Sequence, residues 1–195
     1  MQNPPDFDEA RRNIQNAKQD CVRATEVIES IRSLFKTTGA AADVSCNIND
    51  AIREALEIER RELAERQVDV ETQLDRSIPS ALIEARQLHQ VIINLIANAA
   101  DAMSAVSDRR RVLRLVSEVK DSHAVVTVED NGIGIDATNL EKIFEPLFTT
   151  KARGMGLGLW LCRAIIQARG GQLVATSRLN AGTVFRVTLP LSHAQ

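Results

Sequence analysis

The 195-residue chain carries 24 Lys and Arg against 26 Asp and Glu, for a net charge of -2, and is 44% hydrophobic but only 3% aromatic. This supports one large domain, or one ordinary domain with an appendage, built around an aliphatic core. The charge argues against a nucleic-acid partner, and no apolar run of about 18 residues is present to span a membrane.

The N-terminus, MQNPPDFDEA, does not read as a signal peptide. Cys21, Cys46 and Cys162 are far apart and form no CxxC, which points to reduced thiols of a cytoplasmic protein rather than a disulfide framework or a zinc site. Residues 6–37 read as one long helix following Pro4-Pro5. Its seam of Ile14, Ala17, Cys21, Ala24, Ile28, Ile31 and Phe35 steps alternately by three and four, the heptad spacing of a helix that packs in a bundle or dimer. A linker at 38–43 and a short extended piece, 44–48, lead to Asn49 as a plausible N-cap. The next helix runs from Asp50 to about Arg66 and is expected to bury Ile52, Ala55, Leu56, Ile58 and Leu63. A strand follows at 67–74, then a break at Ser77-Ile78-Pro79.

The stretch from Leu88 to Ala105 organises the rest. Leu88, Val91, Ile92, Leu95, Ile96, Ala99 and Ala102 make an apolar helical stripe, and Asn94, Asn98 and Asp101 make a second one. Asparagine is a poor helix former, so two of them a turn apart among Ile, Leu and Ala call for a reason. Their carbonyl oxygens suit a hard cation such as Mg²⁺. Two strands, 112–120 and 124–129, then form a hairpin. Residues 131–156 are rich in Gly, Thr and Asn around a helical island near Leu140 to Phe144, the pattern of a functional lid or a disordered segment. A helix at 157–168 and two closing strands, 172–177 and 183–189, complete the chain. The order gives a mixed sheet on one side and helices on the other, with no regular βαβ alternation and hence no Rossmann fold.

Three further segments carry chemistry. Asp130 leaves a strand, and Gly132 and Gly134 follow it, where backbone can approach a ligand and the carboxylate can accept from an exocyclic amine. Phe144-Glu145-Pro146-Leu147-Phe148 leads into Thr149-Thr150-Lys151, a loop ending in a lone cation. Gly154, Gly156 and Gly158 open a helix whose free N–H groups and dipole favour phosphate. The Walker pattern is absent.

NLxxNAxxAM, DNGxGI, FEPxFTTK and GxGLGL, in this order, resemble the ATP-binding domain of sensor histidine kinases, in the superfamily shared with gyrase, Hsp90 and MutL. The wording is most similar to the oxygen- and nitrogen-sensing kinases. The resemblance covers residues 44–191 and implies an α+β, two-layer α/β sandwich (the Bergerat fold) with a mixed, mostly antiparallel sheet. It implies ATP and Mg²⁺ as cofactors, with Asn98 as the metal ligand, Asn94 supporting the metal and phosphate shell, and Lys151 reaching the terminal phosphate as the third catalytic group. Asp130 takes the adenine amino group; Gly132, Gly134 and Ile135 shape that pocket, and Thr183 helps through a water. Gly154, Met155, Gly156, Leu157 and Gly158 wrap the phosphates, under a lid from about Asp136 to Met155. Many members carry a basic residue where this chain has Asp101, so Lys151 and Arg153 are left to meet the phosphate charge, and Asp101 reads as a supporting residue.

Residues 6–37 resemble the second helix of the kinase dimerisation hairpin. The first helix, with the phosphoacceptor histidine, has no counterpart: His89, His123 and His193 lie in other contexts. The expectation is a fragment of a larger, homodimeric sensor kinase that binds ATP without autophosphorylating, with a response regulator and its own missing phosphoacceptor helix as partners. A hydrolase of the gyrase and MutL kind would need a glutamate four residues before the metal asparagine, where this chain has Asn94. A regulatory module with a decayed nucleotide site is the remaining alternative.

Overall fold

The computed structural model describes residues 45–151 and 154–192. The helix expected at 6–37, the linker expected after it, Arg153 and His193 lie outside them. Among the described residues three α-helices, α1 (Ile48–Glu65), α2 (Ala85–Ser104) and α3 (Gly158–Ala168), accompany five strands, β1 (Val68–Leu74), β2 (Arg111–Lys120), β3 (His123–Asp130), β4 (Gln172–Arg178) and β5 (Gly182–Pro190). The sheet order is β1-β2-β3-β5-β4. β1 runs parallel to β2, and every other pair is antiparallel.

The register explains where the core ends and the site begins. Opposed residues of an antiparallel ladder share a face, and that face repeats every second residue. Ser117, Val126, Val187 and Leu173 make one row across the sheet, and Leu115, Val128, Phe185 and Ala175 make the next. One step further, the same face carries Leu113, Asp130, Thr183 and Ser177. The apolar face thus turns polar at one end of the sheet, and Asp130 and Thr183 stay buried there. α2 lies on this face and buries Leu88, Val91, Ile92, Leu95, Ile96, Ala99 and Met103. Each of its larger aliphatic side chains contributes about 1.5–3 kcal/mol. α1 packs on α2, and α3 on α2 and on β4. Phe144 of the 3-10 turn Lys142–Phe144 meets Phe185 edge-on at 6.4 Å, with the Arg163 guanidinium 5.0 Å from the Phe144 ring centre.

Local departures from the sequence reading have local causes. α1 starts two residues earlier than expected, because Asn47 is the cap: its Oδ1 accepts from Asn49 N at 2.9 Å and Asp50 N at 3.2 Å. Asn49 is buried instead, donating to Asp75 O at 2.7 Å and accepting from Ser117 Oγ at 2.6 Å, so it ties α1 to the sheet. The extended piece before α1 reduces to a single bridge, Cys46 to Ala81. Ile58 is 60% exposed rather than buried, because it faces away from α2, and Leu56 is only half-buried. Arg111 caps two helices at once, reaching Arg66 O at 2.6 Å and Val106 O at 2.9 Å.

Candidate nucleotide site

One line of α2 collects the scattered motifs. Asn94, Asn98 and Ala102 follow each other at i, i+4 and i+8, a span of about 12 Å. Each touches a different loop. At Asn94 the N-terminus of α3 sits so close that a Cβ on Gly158 would lie 2.6 Å from Asn94 Oδ1. At Asn98 the Lys151 ammonium donates to Oδ1 at 2.9 Å. At Ala102 the Asp130 loop arrives: Ile133 N donates to Ala102 O at 3.2 Å, and a Cβ on Gly132 would meet the same peptide at 2.7 Å. One glycine of each loop, Gly132 and Gly158, is thus required by its close approach to α2.

The two asparagines differ in environment. Asn94 Nδ2 donates to the buried Cys162 Sγ at 3.0 Å, which turns the amide under α3. Burial pushes the Cys162 thiol up to about 12, against the pull of the Asn94 hydrogen bond, so it stays neutral. Asn98 presents its carbonyl oxygen outward to a cation. Asp101, one turn on, accepts from Lys151 Nζ at 2.5 Å and from Arg66 Nη1 at 2.6 Å. Burial raises the Asp101 carboxyl, but the hydrogen bonds and charges of Lys151 and Arg66 win and hold it below the usual carboxylate value.

Asp130 ends β3, with Oδ1 accepting from Gly132 N at 2.8 Å. Burial pushes its carboxyl up to about 6, opposed by the backbone N–H groups of Gly132 and Thr183 and helped by Glu129. Ser177 Oγ joins the surrounding pieces: it accepts from Ile135 N at 2.8 Å, donates to Gly182 O at 2.8 Å and lies 3.0 Å from Thr183 Oγ1. Gly134 (φ +71°) and Gly182 (φ +110°) occupy left-handed backbone, and a Cβ on Gly182 would lie 1.9 Å from Asp130 O. Gly156, with φ +68°, accepts at its carbonyl from Leu147 N at 3.0 Å. Gly154 N donates to Lys151 O at 3.2 Å, while Met155 and Leu157 are half-buried beside them. α3 opens at Leu157 with no side-chain cap hydrogen bond to its first-turn N–H groups.

Arg109 belongs to no motif, yet it holds this end of the sheet together. Its guanidinium donates to Asn131 O at 3.0 Å, Gly132 O at 3.1 Å and Asn180 O at 2.9 Å. The sequence offers no signal for it, since it lies in a polar turn beside Asp108, Arg110 and Arg111. Of the histidines, His89 Nε2 lies 3.0 Å from Glu54 Oε2, and His123 Nδ1 is 2.8 Å from Asp121 O.

Residues 83–193 match the family model of the histidine kinase-, DNA gyrase B-, and HSP90-like ATPases. The sensor protein FixL of Bradyrhizobium diazoefficiens is 33% identical over 177 residues, 91% of this chain and 35% of FixL. The sensor protein TdiS of Thauera aromatica is 34% identical over 147 residues, 74% of this chain and 27% of TdiS. The chain therefore spans about a third or less of these relatives. The catalytic domain of histidine kinase ThkA superposes with a TM-score of 0.68 at 31% identity, covering 77% of this chain and 97% of that one. ThkA in complex with response regulator protein TrrA superposes with a TM-score of 0.71 at 23% identity, covering 98% of this chain and 53% of that one. With the matched fold, the α2 line and the glycine loops, the chain belongs to the histidine kinase-, DNA gyrase B-, and HSP90-like ATPases, as an ATPase domain of the sensor histidine kinase type.

Proposed function

We propose that this domain (residues 44–191) binds Mg·ATP along α2 and, in a longer homodimeric sensor kinase, presents the γ-phosphoryl to a histidine on a helical hairpin. The observation that carries the reading is the line Asn94–Asn98–Ala102, which faces in turn the α3 N-terminus, a lone lysine and the Asp130 loop. A nucleotide laid along it places adenine at Asp130 and phosphates at Asn98 and α3. Asp130 accepts from the adenine amino group, Gly132, Gly134 and Ile135 wall the ring, and Thr183 assists through a water. The uncapped N–H groups of α3 and the loop Gly154, Met155, Gly156, Leu157 and Gly158 take phosphate oxygens. Asn98 Oδ1 already accepts from an ammonium, so it suits a hard cation carried in by the phosphates. A magnesium ion bound there would offset phosphate charge. Lys151 donates to the terminal phosphate, and the lid closing over it excludes water.

The acceptor is a histidine of the hairpin whose second helix residues 6–37 resemble, and a response regulator aspartate takes the phosphoryl next. The ThkA–TrrA complex supports that kind of partner. This role places the domain in the cytoplasm. Hydrolysis is the weaker reading, because position 94 offers an amide bound to Cys162 and no carboxylate to activate water.

Calorimetric titration with Mg·ATP and Mg·ADP, followed by incubation with labelled ATP, tests the reading. Binding of both without stable label is expected, and a longer chain carrying the hairpin should become labelled. Absence of binding would overturn the assignment; stable label on this chain would overturn the missing acceptor. Arg109→Met should weaken ATP and ADP alike by about tenfold in the same titration, since it removes charged hydrogen bonds to three carbonyls around the adenine pocket.

A further inference from the structure

Asp101 has no part in that reading, yet it makes two of the shortest side-chain contacts near the site. Its carboxylate is not free to turn. Oδ1 accepts from Arg66 Nη1 at 2.6 Å, and Arg66 is itself held by Glu62 Oε1 at 2.6 Å and Ser104 Oγ at 3.0 Å. The Arg66 carbonyl is in turn gripped by Arg111. The other oxygen, Oδ2, is left facing the lid and accepts from Lys151 Nζ at 2.5 Å. The ammonium is thus shared between Asn98 Oδ1 and Asp101 Oδ2. Asn98 is the neutral partner, and Asp101 supplies the charge that keeps Lys151 on α2.

We propose that Asp101 is a positioning residue that competes with the terminal phosphate for Lys151 and thereby sets the preference between nucleoside triphosphate and diphosphate. The inference rests on the Mg·ATP reading above. A ligand shifts a two-state equilibrium only by its differential affinity for the two states. A triphosphate offers Lys151 a new anion and must first break the pair with Asp101, so its affinity is lowered by the strength of that pair. A diphosphate has no terminal phosphate within this scheme, leaves Lys151 on Asp101 and is unaffected by the competition. The pair is only partly buried, with side chains 44% and 38% exposed, so it is of moderate strength.

Calorimetry on Asp101→Asn tests this. Mg·ATP affinity should rise about three- to fivefold and Mg·ADP affinity by less than twofold, raising the ATP:ADP ratio. Removing a negative charge beside phosphates could raise affinity without any latch, and a second background separates the two effects. In Lys151→Met, which has no ammonium to release, adding Asp101→Asn should leave the ATP:ADP ratio unchanged. A ratio that rises there as much as in the wild-type background overturns the proposal, as does an equal gain for ADP or a loss of ATP affinity. Arg66→Gln provides a test of opposite sign that keeps the acid. It frees the carboxylate to hold Lys151 more tightly, so the ATP:ADP ratio should fall, and a rise or no change counts against the latch. Failure of the wild-type chain to bind either nucleotide would overturn the Mg·ATP reading itself, a result distinct from all of these.

Discussion

Asp130→Asn should weaken ATP and ADP together by about a hundredfold, the loss of a charged hydrogen bond whose donor is left in a buried pocket. Both nucleotides share the adenine, so titration should show equal losses; a loss confined to ATP would contradict the role. The same carboxylate gives the site a pH dependence. Its value in the fold, about 6, lies above the ordinary 3.8 because burial disfavours the charge. The stability it contributes is full below pH 3.8 and is lost as pH rises through about 6, on the order of 3 kcal/mol in all. Nucleotide has the opposite need, an ionised acceptor. ADP affinity should therefore fall below pH 6 by up to tenfold per unit, and Asp130→Asn should remove that dependence. At pH 8 the nucleotide-free variant should melt at a higher temperature than the wild type, because it buries a neutral amide in place of a charge. A variant both more stable and much weaker for both nucleotides cannot be explained as misfolded.

Asn98→Ala should abolish the magnesium-dependent part of ATP affinity and, in a chain carrying the hairpin, slow phosphoryl transfer by about 10²–10³-fold. The change improves the helix, alanine being the better helix former, so circular dichroism should show no loss of structure. It also leaves the Asp130 pocket intact, so ADP affinity measured without magnesium should stay close to wild type. Titration of ATP across magnesium concentrations reads the effect directly. An unchanged magnesium dependence would remove Asn98 from the metal.

The parts of the site legible in the sequence are those with a local signature. The apolar stripe of α2 follows from helical periodicity, and the two glycine loops announce backbone that must pass close to something. What they pass close to was not legible, because Gly158 on Asn94 and Gly132 on Ala102 are contacts between distant segments. The sequence reading takes Asn49 as the cap of α1, but Asn47, two residues earlier, caps it, and Asn49 is buried against Ser117 instead. Arg109 and Arg66 escaped for a different reason, and Asp101 reads in the sequence only as a supporting residue without its partners. The meaning of each lies in partners brought by the fold, three carbonyls for Arg109 and the lid lysine for Asp101. The exposure of Ile58 shows the converse, an apolar residue at a plausible helical position that the packing of α1 leaves outside.

The one parallel pair has a consequence for how the chain is made. Among the described residues β1 has β2 as its one strand neighbour, with Val68 opposite Arg111, some forty positions on. The hairpin of β2 and β3 closes across Lys120 and His123, at far lower cost in loop entropy. On the ribosome, which releases about 5–20 residues per second, β1 emerges seconds before the described strand it pairs with. The sheet grows from its middle outward and takes up its earliest strand only after Arg111 and the hairpin behind it have left the exit tunnel.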